Sequence, residues 1–287
     1  MRAEVEVHFD RQIDTFNHYT EPFLVQEEAR NNLLLGLCSN LKAGLTASSI
    51  PPLLIRIMHR QKVLAAALQT PPNPLVLTRA SKEELDLLAA ALLSRNLSIP
   101  SVVGPPDEAR YFADQWCHSH SLKAVLAMKQ GIYQLTQVIQ PPPVPGRMRV
   151  AHHAELSLVA QWMYEFNDEA MPQDPKSKVE TLKKVEQIIQ RQALFVWEQN
   201  GRPVSMAGSW GTTPNGVRIN AVYTPADLRR RGIASRLVAE LSQAKLKAGN
   251  KFCFLYTDLS NPTSNRIYQK IGYGFVCESK YFVFTKV

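Results

Sequence analysis

Three consecutive arginines and a glycine stand where a β-like stretch turns into a helix, in VYTPADLRRRGIASRLVAELSQA, residues 222–244. The first backbone N–H groups of a helix have no partner inside the helix and carry a partial positive charge. Gly232 and Ala234 would let an anion approach those amides, and the Arg229–Arg231 side chains could add charge-assisted hydrogen bonds. Cations at a helix start oppose its dipole by roughly 0.3–1 kcal/mol each, and a bound anion reverses that sign. The stretch therefore predicts a diphosphate-binding turn.

Other phosphate-binding motifs do not match these residues. A Walker loop needs a second glycine followed by lysine, and the dinucleotide fingerprint needs three glycines where only Gly232 is present. Taken alone, the stretch is equally compatible with a solvated arginine run at the start of a surface helix.

Composition narrows the classes of protein to consider. The chain has 287 residues, 45% hydrophobic and 20% charged, which is typical of a globular protein with room for two domains. No apolar stretch is long enough to cross a bilayer, and no secretory signal is apparent at the start. The four cysteines are spread singly, which predicts reduced thiols in a cytoplasmic protein. The net charge of +8 would suit nucleic acid, but aromatic and basic residues do not interleave, so we expect neither nucleic acid nor membrane as a partner.

The proline-rich stretch QPPPVPG predicts a boundary between two domains. We expect an N-terminal α/β domain over 1–140, a linker over 141–147 and a second domain over 148–287. Asn200-Gly201 between two β-like runs predicts a hairpin, and Asn261-Pro262 predicts a helix start. The fold class is α/β, with a mixed sheet.

Weaker signals upstream repeat the downstream order of elements. Residues 74–139 are interpreted as strand, helix, strand, helix and hairpin, the order expected again over 217–285. We therefore expect two copies of one fold, the first having lost its site, since LTRASKEELDLL has Arg79 but no glycine where the arginine turn would fall.

A second motif, NPTSNRIYQKIGYGF, follows the arginine turn at residues 261–275. Together the two stretches resemble motifs A and B of the GNAT superfamily of N-acetyltransferases, and the resemblance covers roughly residues 148–287. It implies a GNAT-like acyl-CoA transferase fold, acetyl-CoA as co-substrate, and transfer of acetyl to a primary amine of a small molecule or peptide. The family's Gly/Ala position is Ala234 here, and no metal is implied. A homodimer is compatible with the sequence.

The resemblance also implies cofactor-binding residues. In similar proteins the pantetheine arm lies in a gap between the fourth and fifth strands of the domain, and the diphosphate lies at the helix start. The implied contacts are the backbone of Ala221, Val222 and Tyr223, the turn formed by Arg229, Arg230, Arg231, Gly232, Ile233, Ala234 and Ser235, and the second-motif residues Asn261, Asn265 and Tyr268.

Catalytic roles follow from the same resemblance. Tyr268 would donate a proton to the departing thiolate, since a phenol has an ordinary pKa of about 10 and a thiol about 8.5. A backbone N–H at a bulge in the domain's fourth strand, that of Val222 or Tyr223, would stabilise the developing negative charge on oxygen. Near the end of the domain's first helix, the acidic residues Glu165, Asp168 and Glu169 could steer a cationic amine, with Glu169 the candidate base.

Each of these residues also has a structural interpretation. Tyr268 could be a core tyrosine, the acids could be a solvated helix end, and Asp258 is an equally supported base. A non-catalytic acyl-CoA-binding or partner-binding module, or a transferase for another acyl-CoA, stays open as an alternative function.

Overall fold

One succession of elements occurs twice along the chain: strand, two helices, three strands, helix, strand, helix, strand. The computed structural model describes residues 5–45, 50–170 and 177–286. The first run comprises β1 (Val5–Asp10), α1 (Ile13–Leu24), α2 (Asn32–Lys42), β2 (Leu53–His59), β3 (Lys62–Gln69), β4 (Leu75–Leu77), α3 (Lys82–Ser94), β5 (Ser101–Gly104), α4 (Pro106–His120) and β6 (Leu122–Leu135). The second comprises β7 (Arg147–Val150), α5 (Leu156–Ala170), α6 (Lys178–Gln190), β8 (Leu194–Gln199), β9 (Arg202–Thr212), β10 (Gly216–Tyr223), α7 (Ile233–Lys247), β11 (Phe252–Asp258), α8 (Pro262–Ile271) and β12 (Gly274–Lys286). The repetition predicted from the sequence is thus present in the order of elements.

The chain divides into two compact units. Unit 1 contains residues 1–132, 211–214 and 277–287, and unit 2 contains residues 133–210 and 215–276. Strands β6 and β12 therefore each contribute residues to both units.

The proline-rich segment lies within unit 2. The carbonyl oxygen of Pro145 accepts hydrogen bonds from Trp197 Nε1 at 2.9 Å and from Gln199 Nε2 at 2.6 Å, so the segment is fastened to β8. The division into domains 1–140 and 148–287 stays a prediction.

In unit 1 the strand order is β1-β2-β3-β4-β5-β12-β6. Strands β4 and β5 are parallel, and β12 pairs antiparallel with β5 through Tyr281↔Val103. One buried cluster includes Phe112 and Trp116 of α4, and another includes Phe16 of α1. Helices therefore cover the sheet with two separate apolar clusters, as expected for an α/β fold.

In unit 2 the strand order is β6-β11-β10-β9-β8-β7, with β10 parallel to β11. The predicted hairpin joins β8 to β9, and Asn200 and Gly201 have φ angles of 49° and 75°, as an Asn-Gly hairpin turn requires. Two consecutive side chains of β8 pack in different apolar clusters. Trp197 packs with α7, and Val196 packs with α5 and α6. Unit 2 is therefore a sheet covered by helices on both faces.

One local prediction is wrong. Residues 122–139, interpreted as a hairpin, contain the single strand β6 (Leu122–Leu135). The neighbours of β6 are β12 and β11, both distant in sequence. A strand whose partners lie so far along the chain shows no pairing signal in its own local pattern.

No helix among the described residues is long and apolar enough to cross a membrane. All four cysteines are free thiols.

Candidate active site

A gap opens between β10 and β11. Their parallel register covers residues 216–218 of β10 and 252–254 of β11, although the strands continue to residues 223 and 258. After residue 218, the main chain of β10 no longer pairs with β11. An extended ligand can pair with such an edge through main-chain hydrogen bonds.

The alternation of β10 is interrupted at Ala221, which has a φ of 47°. Val217 and Ile219 pack in the core beneath α7, whereas Ala221 and Tyr223 pack in the core beneath α5. In a regular strand these four residues would all face the same side. The interruption is therefore a β-bulge, and it turns the Tyr223 ring toward α5.

β10 leads into the turn that starts α7. Arg230 and Gly232 have φ angles of 63° and 78°, and Gly232 is the N-cap residue, with no side-chain hydrogen bond at the cap. The Arg236 amide donates to the Gly232 carbonyl at 3.0 Å, so the amides of residues 233–235 precede the intrahelical ladder. Gly232 is exposed, and Ala234 is small. An uncapped helix start with these residues can hold an anion.

The arginines of this turn have different surroundings. Arg231 donates from Nη2 to the Asp227 carbonyl at 2.9 Å, and its side chain is exposed. Arg230 is exposed and makes no side-chain hydrogen bond or ion pair within the part of the chain that the structure describes. Arg236, one turn into the helix, donates to Glu240 Oε1 at 2.9 Å. Arg230 and Arg231 can therefore reach a ligand at the helix start.

Arg229 points to α5 instead. Its Nη2 donates to both carboxylate oxygens of Glu169, at 2.7 and 2.9 Å, and its Nε donates to the Thr224 carbonyl at 2.8 Å. The guanidinium carbon lies 5.4 Å from the centre of the Tyr223 ring. The hydrogen bond to Glu169 is the main cause that raises the pKa of Arg229. Of the residues predicted at the site, Arg229 and Glu169 are therefore brought together as an ion pair.

Glu165 lies one helical turn before Glu169. Gln161 Nε2 donates to one of its oxygens at 2.8 Å, and the Tyr223 hydroxyl donates to the other at 2.7 Å. These two hydrogen bonds lower the pKa of Glu165, so it is a carboxylate near neutral pH. Burial first, and then Glu165, raises the pKa of Tyr223 to about 12. The Trp162 ring lies 6.4 Å from the Tyr223 ring.

The other two predicted acids, Asp168 and Asp258, lie away from the hydrogen bonds around Tyr223. Asp168 is exposed on α5 and makes no side-chain hydrogen bond or ion pair among the described residues. Asp258 accepts a hydrogen bond from the Ser260 amide at 2.8 Å, which stabilises the turn after β11. Neither joins the cluster around Tyr223.

Tyr268 lies on α8 and packs partly buried against the core beneath α7, with its ring 6.1 Å from that of Tyr273. Burial raises its pKa to about 12. Its hydroxyl has no hydrogen-bond partner within the described residues. Tyr268 is therefore a neutral phenol whose proton is available to a ligand.

The two asparagines of the second motif have structural bonds. Asn261 caps α8, since its side-chain oxygen accepts from the Ser264 amide at 3.1 Å. Asn265 accepts from Thr257 Oγ1 at 2.8 Å and donates to the Asp258 carbonyl at 3.2 Å. These bonds fasten α8 to the end of β11.

The proline-rich segment at residues 140–146 lies next to the site, although its sequence did not predict this. A Cβ atom built on Gly232 would lie 3.3 Å from Val144 Cγ2, and Gln140 Oε1 accepts from Arg236 Nη1 at 3.0 Å. The segment therefore lies beside the start of α7. The prolines predicted only an extended backbone, and no local signal indicated where it runs.

No group of three or more potential metal ligands occurs among the described residues. The donors at the start of α7 are amides and guanidinium groups, which suit an anion.

Comparisons with known proteins agree with this geometry. Residues 159–273 match the family model described as "Acetyltransferase (GNAT) family". A search of curated protein sequences finds no match.

Solved structures resemble nearly the whole chain. An acetyltransferase from the GNAT family of Colwellia psychrerythraea is 10% identical, with 98% of this chain and 100% of that chain covered and a TM-score of 0.59. A GCN5-related N-acetyltransferase from Sphaerobacter thermophilus is 14% identical, with coverages of 97% and 94% and a TM-score of 0.61. A tandem GNAT protein from the clavulanic acid biosynthesis pathway is 10% identical, with 98% of each chain covered and a TM-score of 0.60. At these identities the likeness concerns the fold. The chain therefore has a GNAT-like fold, and its residues 159–273 match the GNAT acetyltransferase family model.

Proposed function

We propose that this protein is an acetyl-CoA-dependent N-acetyltransferase that moves an acetyl group to a primary amine of a small molecule or peptide. The observation that carries the proposal is the succession of a strand gap and an uncapped helix start within one stretch of chain, from β10 to α7. The partners in this proposal are acetyl-CoA and the amine, in a cytoplasmic enzyme that requires neither a nucleic acid nor a membrane.

The proposed acetyl-CoA contacts follow the path of β10 and its turn. Ala221, Val222 and Tyr223 would offer backbone groups to the pantetheine arm along the unpaired edge. The amides of residues 232–235, with the side chains of Arg230 and Arg231, would bind the diphosphate. Asn261 and Asn265 lie at the start of α8, where backbone contacts to the cofactor are compatible with their capping and fastening roles.

Acetyl-CoA supplies the activated acetyl thioester, and the chain's residues handle charge and protons. An amide at the bulge, that of Val222 or Tyr223, would donate to the carbonyl oxygen as it becomes negative. Tyr268, with a pKa of about 12, stays protonated at neutral pH and would donate its proton to the departing thiolate.

The acceptor amine is protonated in water and must lose a proton before it attacks. Glu165 is a carboxylate with a lowered pKa, which suits it to hold an ammonium group and makes it a weak base. We propose that Glu165 orients the amine, and that Glu169 or an ordered water accepts the proton. Asp168 would add negative charge at this end of α5.

Calorimetric titration with acetyl-CoA, together with a turnover assay over a panel of primary amines, tests the proposal. We expect saturable binding and acetylation of at least one amine. Gly232→Glu is the matched control, since a carboxylate at the helix start should abolish binding in a chain that remains folded.

Two other results would replace the proposal. Tight binding without turnover on any amine would indicate a non-catalytic acyl-CoA-binding module. Turnover with a different acyl-CoA alone would correct the donor. Absence of binding would contradict both the enzyme and the module.

A further inference from the structure

Adjacent arginines in the α7 turn differ in what their side chains contact. Both side chains are exposed, but Arg230 makes no side-chain hydrogen bond or ion pair among the described residues, whereas two of the three nitrogens of Arg229 donate to partners. Those partners, Glu169 and the Thr224 carbonyl, lie on α5 and at the end of β10. A guanidinium held by three hydrogen bonds over an aromatic ring is directed away from the helix start.

A continuous set of contacts leads from Arg229 into α5. The guanidinium covers the Tyr223 ring, whose hydroxyl donates to Glu165 at 2.7 Å. The Arg229 side chain thereby contacts the Tyr223 ring and binds the Glu169 carboxylate, while the Tyr223 hydroxyl binds Glu165. All of these residues belong to unit 2.

The charges of this cluster do not balance. Two carboxylates, Glu165 and Glu169, accompany one cation, Arg229, and the nearby Asp168 is also acidic. A protonated amine beside Glu165 would supply the missing positive charge. The cluster is thus suited to a cationic acceptor and unsuited to an anionic diphosphate.

We propose that Arg229 is a positioning residue for the acceptor: it ties the turn before α7 to α5 and aligns Glu165, while Arg230 and Arg231 bind the diphosphate. The proposal rests on the proposed function, because it assigns the acceptor side of the same site. It separates two neighbouring arginines that the sequence alone treats as equivalent.

A paired substitution separates the two roles. Arg229→Gln should leave the Kd for coenzyme A within about threefold and raise the KM of the amine acceptor about tenfold or more, since one ion pair near the acceptor is lost. Arg230→Gln should raise the Kd for coenzyme A about tenfold through loss of a charge-assisted contact. Calorimetry with coenzyme A and steady-state kinetics on an amine from the panel measure both.

Rescue distinguishes positioning from general loss of structure. The double variant Arg229→Glu, Glu169→Arg restores an ion pair in the opposite orientation and should reverse part of the rise in acceptor KM caused by Arg229→Gln, even where kcat falls because the Glu169 carboxylate is absent. Arg229→Lys keeps the charge without the fork and should lie between the wild type and Arg229→Gln. An acceptor KM unchanged in Arg229→Gln would overturn the proposal, as would a loss of coenzyme A affinity equal to that of Arg230→Gln.

The test also separates this proposal from the proposed function. If the wild type binds coenzyme A but acetylates no amine, the proposed function fails while the Arg229 assignment is still measurable. Retained coenzyme A affinity in Arg229→Gln, with faster amide hydrogen exchange over residues 165–170, would then support it. Unchanged exchange, or a loss of affinity, would overturn it.

Discussion

Arg230 adopts the left-handed backbone conformation, with a φ of 63°, two residues before Gly232 does the same. The left-handed conformation costs a non-glycine residue roughly 1–2 kcal/mol. Strain of this kind is tolerated where the side chain or the turn has a function. Substitutions at Arg230 can separate the effect of its backbone conformation on stability from the effect of its charge on binding.

We predict that Arg230→Gly raises the free energy of unfolding by up to about 1 kcal/mol, because glycine adopts this φ without steric cost. The same change should weaken coenzyme A binding, because the charge is lost. Arg230→Ala is the control: it should weaken binding equally without the gain in stability. Denaturant unfolding and calorimetry measure the two effects, and a destabilised glycine variant would contradict the first.

Tyr268 and Tyr273 form a second pair of comparable residues, since both are buried or partly buried tyrosines in the same core. Tyr268→Phe should lower kcat about 10²-fold or more and leave coenzyme A affinity and stability nearly unchanged, since its hydroxyl has no hydrogen bond among the described residues. Tyr273 shares a buried hydrogen bond of 2.7 Å with Ser242. Tyr273→Phe should therefore lower the free energy of unfolding by about 1 kcal/mol or more without a comparable loss of kcat. Unchanged turnover in Tyr268→Phe would remove this residue from the mechanism.

The sequence pattern indicated residues that could form the site and left their pairing open. The local pattern supplied a physical reason for a small residue at Gly232, the N-cap of α7, because a small residue leaves the first helical amides open to an anion. The Arg229–Glu169 ion pair joins residues far apart in sequence, and any of the acids near the end of α5 could have served from the pattern alone. Which acid meets which arginine depends on how α5 packs on the sheet.

The Asn265 side chain contributes to the attachment of helix α8. Asn265 bonds Thr257 and the backbone after it, so it joins α8 to the end of β11. That junction sets the position of Tyr268, one helical turn further on. The Asn265 hydrogen bonds therefore position both helix α8 and Tyr268, the proposed proton donor.

We predict that Asn265→Ala lowers the free energy of unfolding by about 1–3 kcal/mol, because it leaves partners of a part-buried hydrogen-bond network unsatisfied. It should also lower kcat, through misplacement of Tyr268. Asn261→Ala is the comparison, since loss of an N-cap costs about 1 kcal/mol at an exposed position. An Asn265→Ala variant as stable as the wild type would show that this junction does not hold α8.

Among the strands and turns, local sequence predicted the hairpin between β8 and β9 but not the bulge in β10. The Asn200-Gly201 hairpin was predictable because Asn and Gly tolerate the left-handed angles that such a turn needs. The bulge at Ala221 was expected only from the family resemblance, since alanine is an ordinary strand residue and nothing local requires its φ of 47°. This bulge turns the Tyr223 side chain toward α5. The position of Tyr223 in the candidate site therefore depends on how the strands pair.

At the scale of the whole molecule, each unit includes a strand from the other half of the chain: β12 lies beside β5 in unit 1, and β6 lies beside β11 in unit 2. In unit 1 the strand beside β5 is β12 from the end of the chain, whereas local order would place β6 there. The sequence predicted two similar successions of elements and could not reveal this pairing, because β6 and β12 have similar lengths and partly buried patterns.

The two copies differ in physical terms at the helix that follows their fourth strand. In unit 1 this helix is α3, and its start is closed by its own side chains: Ser81 Oγ accepts from the Glu84 amide at 3.2 Å, and Glu84 Oε2 accepts from the Ser81 amide at 2.8 Å. This reciprocal cap occupies the amides that an anion would need and places a carboxylate beside them. In unit 2 the start of α7 has no such cap.

We therefore predict that the full chain binds one equivalent of coenzyme A, at α7. Calorimetric titration should give a stoichiometry near one, and Gly232→Glu in the full chain should eliminate binding rather than halve it. Ser81→Ala serves as the matched control: it removes half of the cap at α3, should cost about 1 kcal/mol of stability, and should leave the stoichiometry unchanged because Glu84 still repels an anion. A second equivalent of coenzyme A that persists in Gly232→Glu would mean that the capped start of α3 opens to admit a diphosphate, and that both copies retain a binding site.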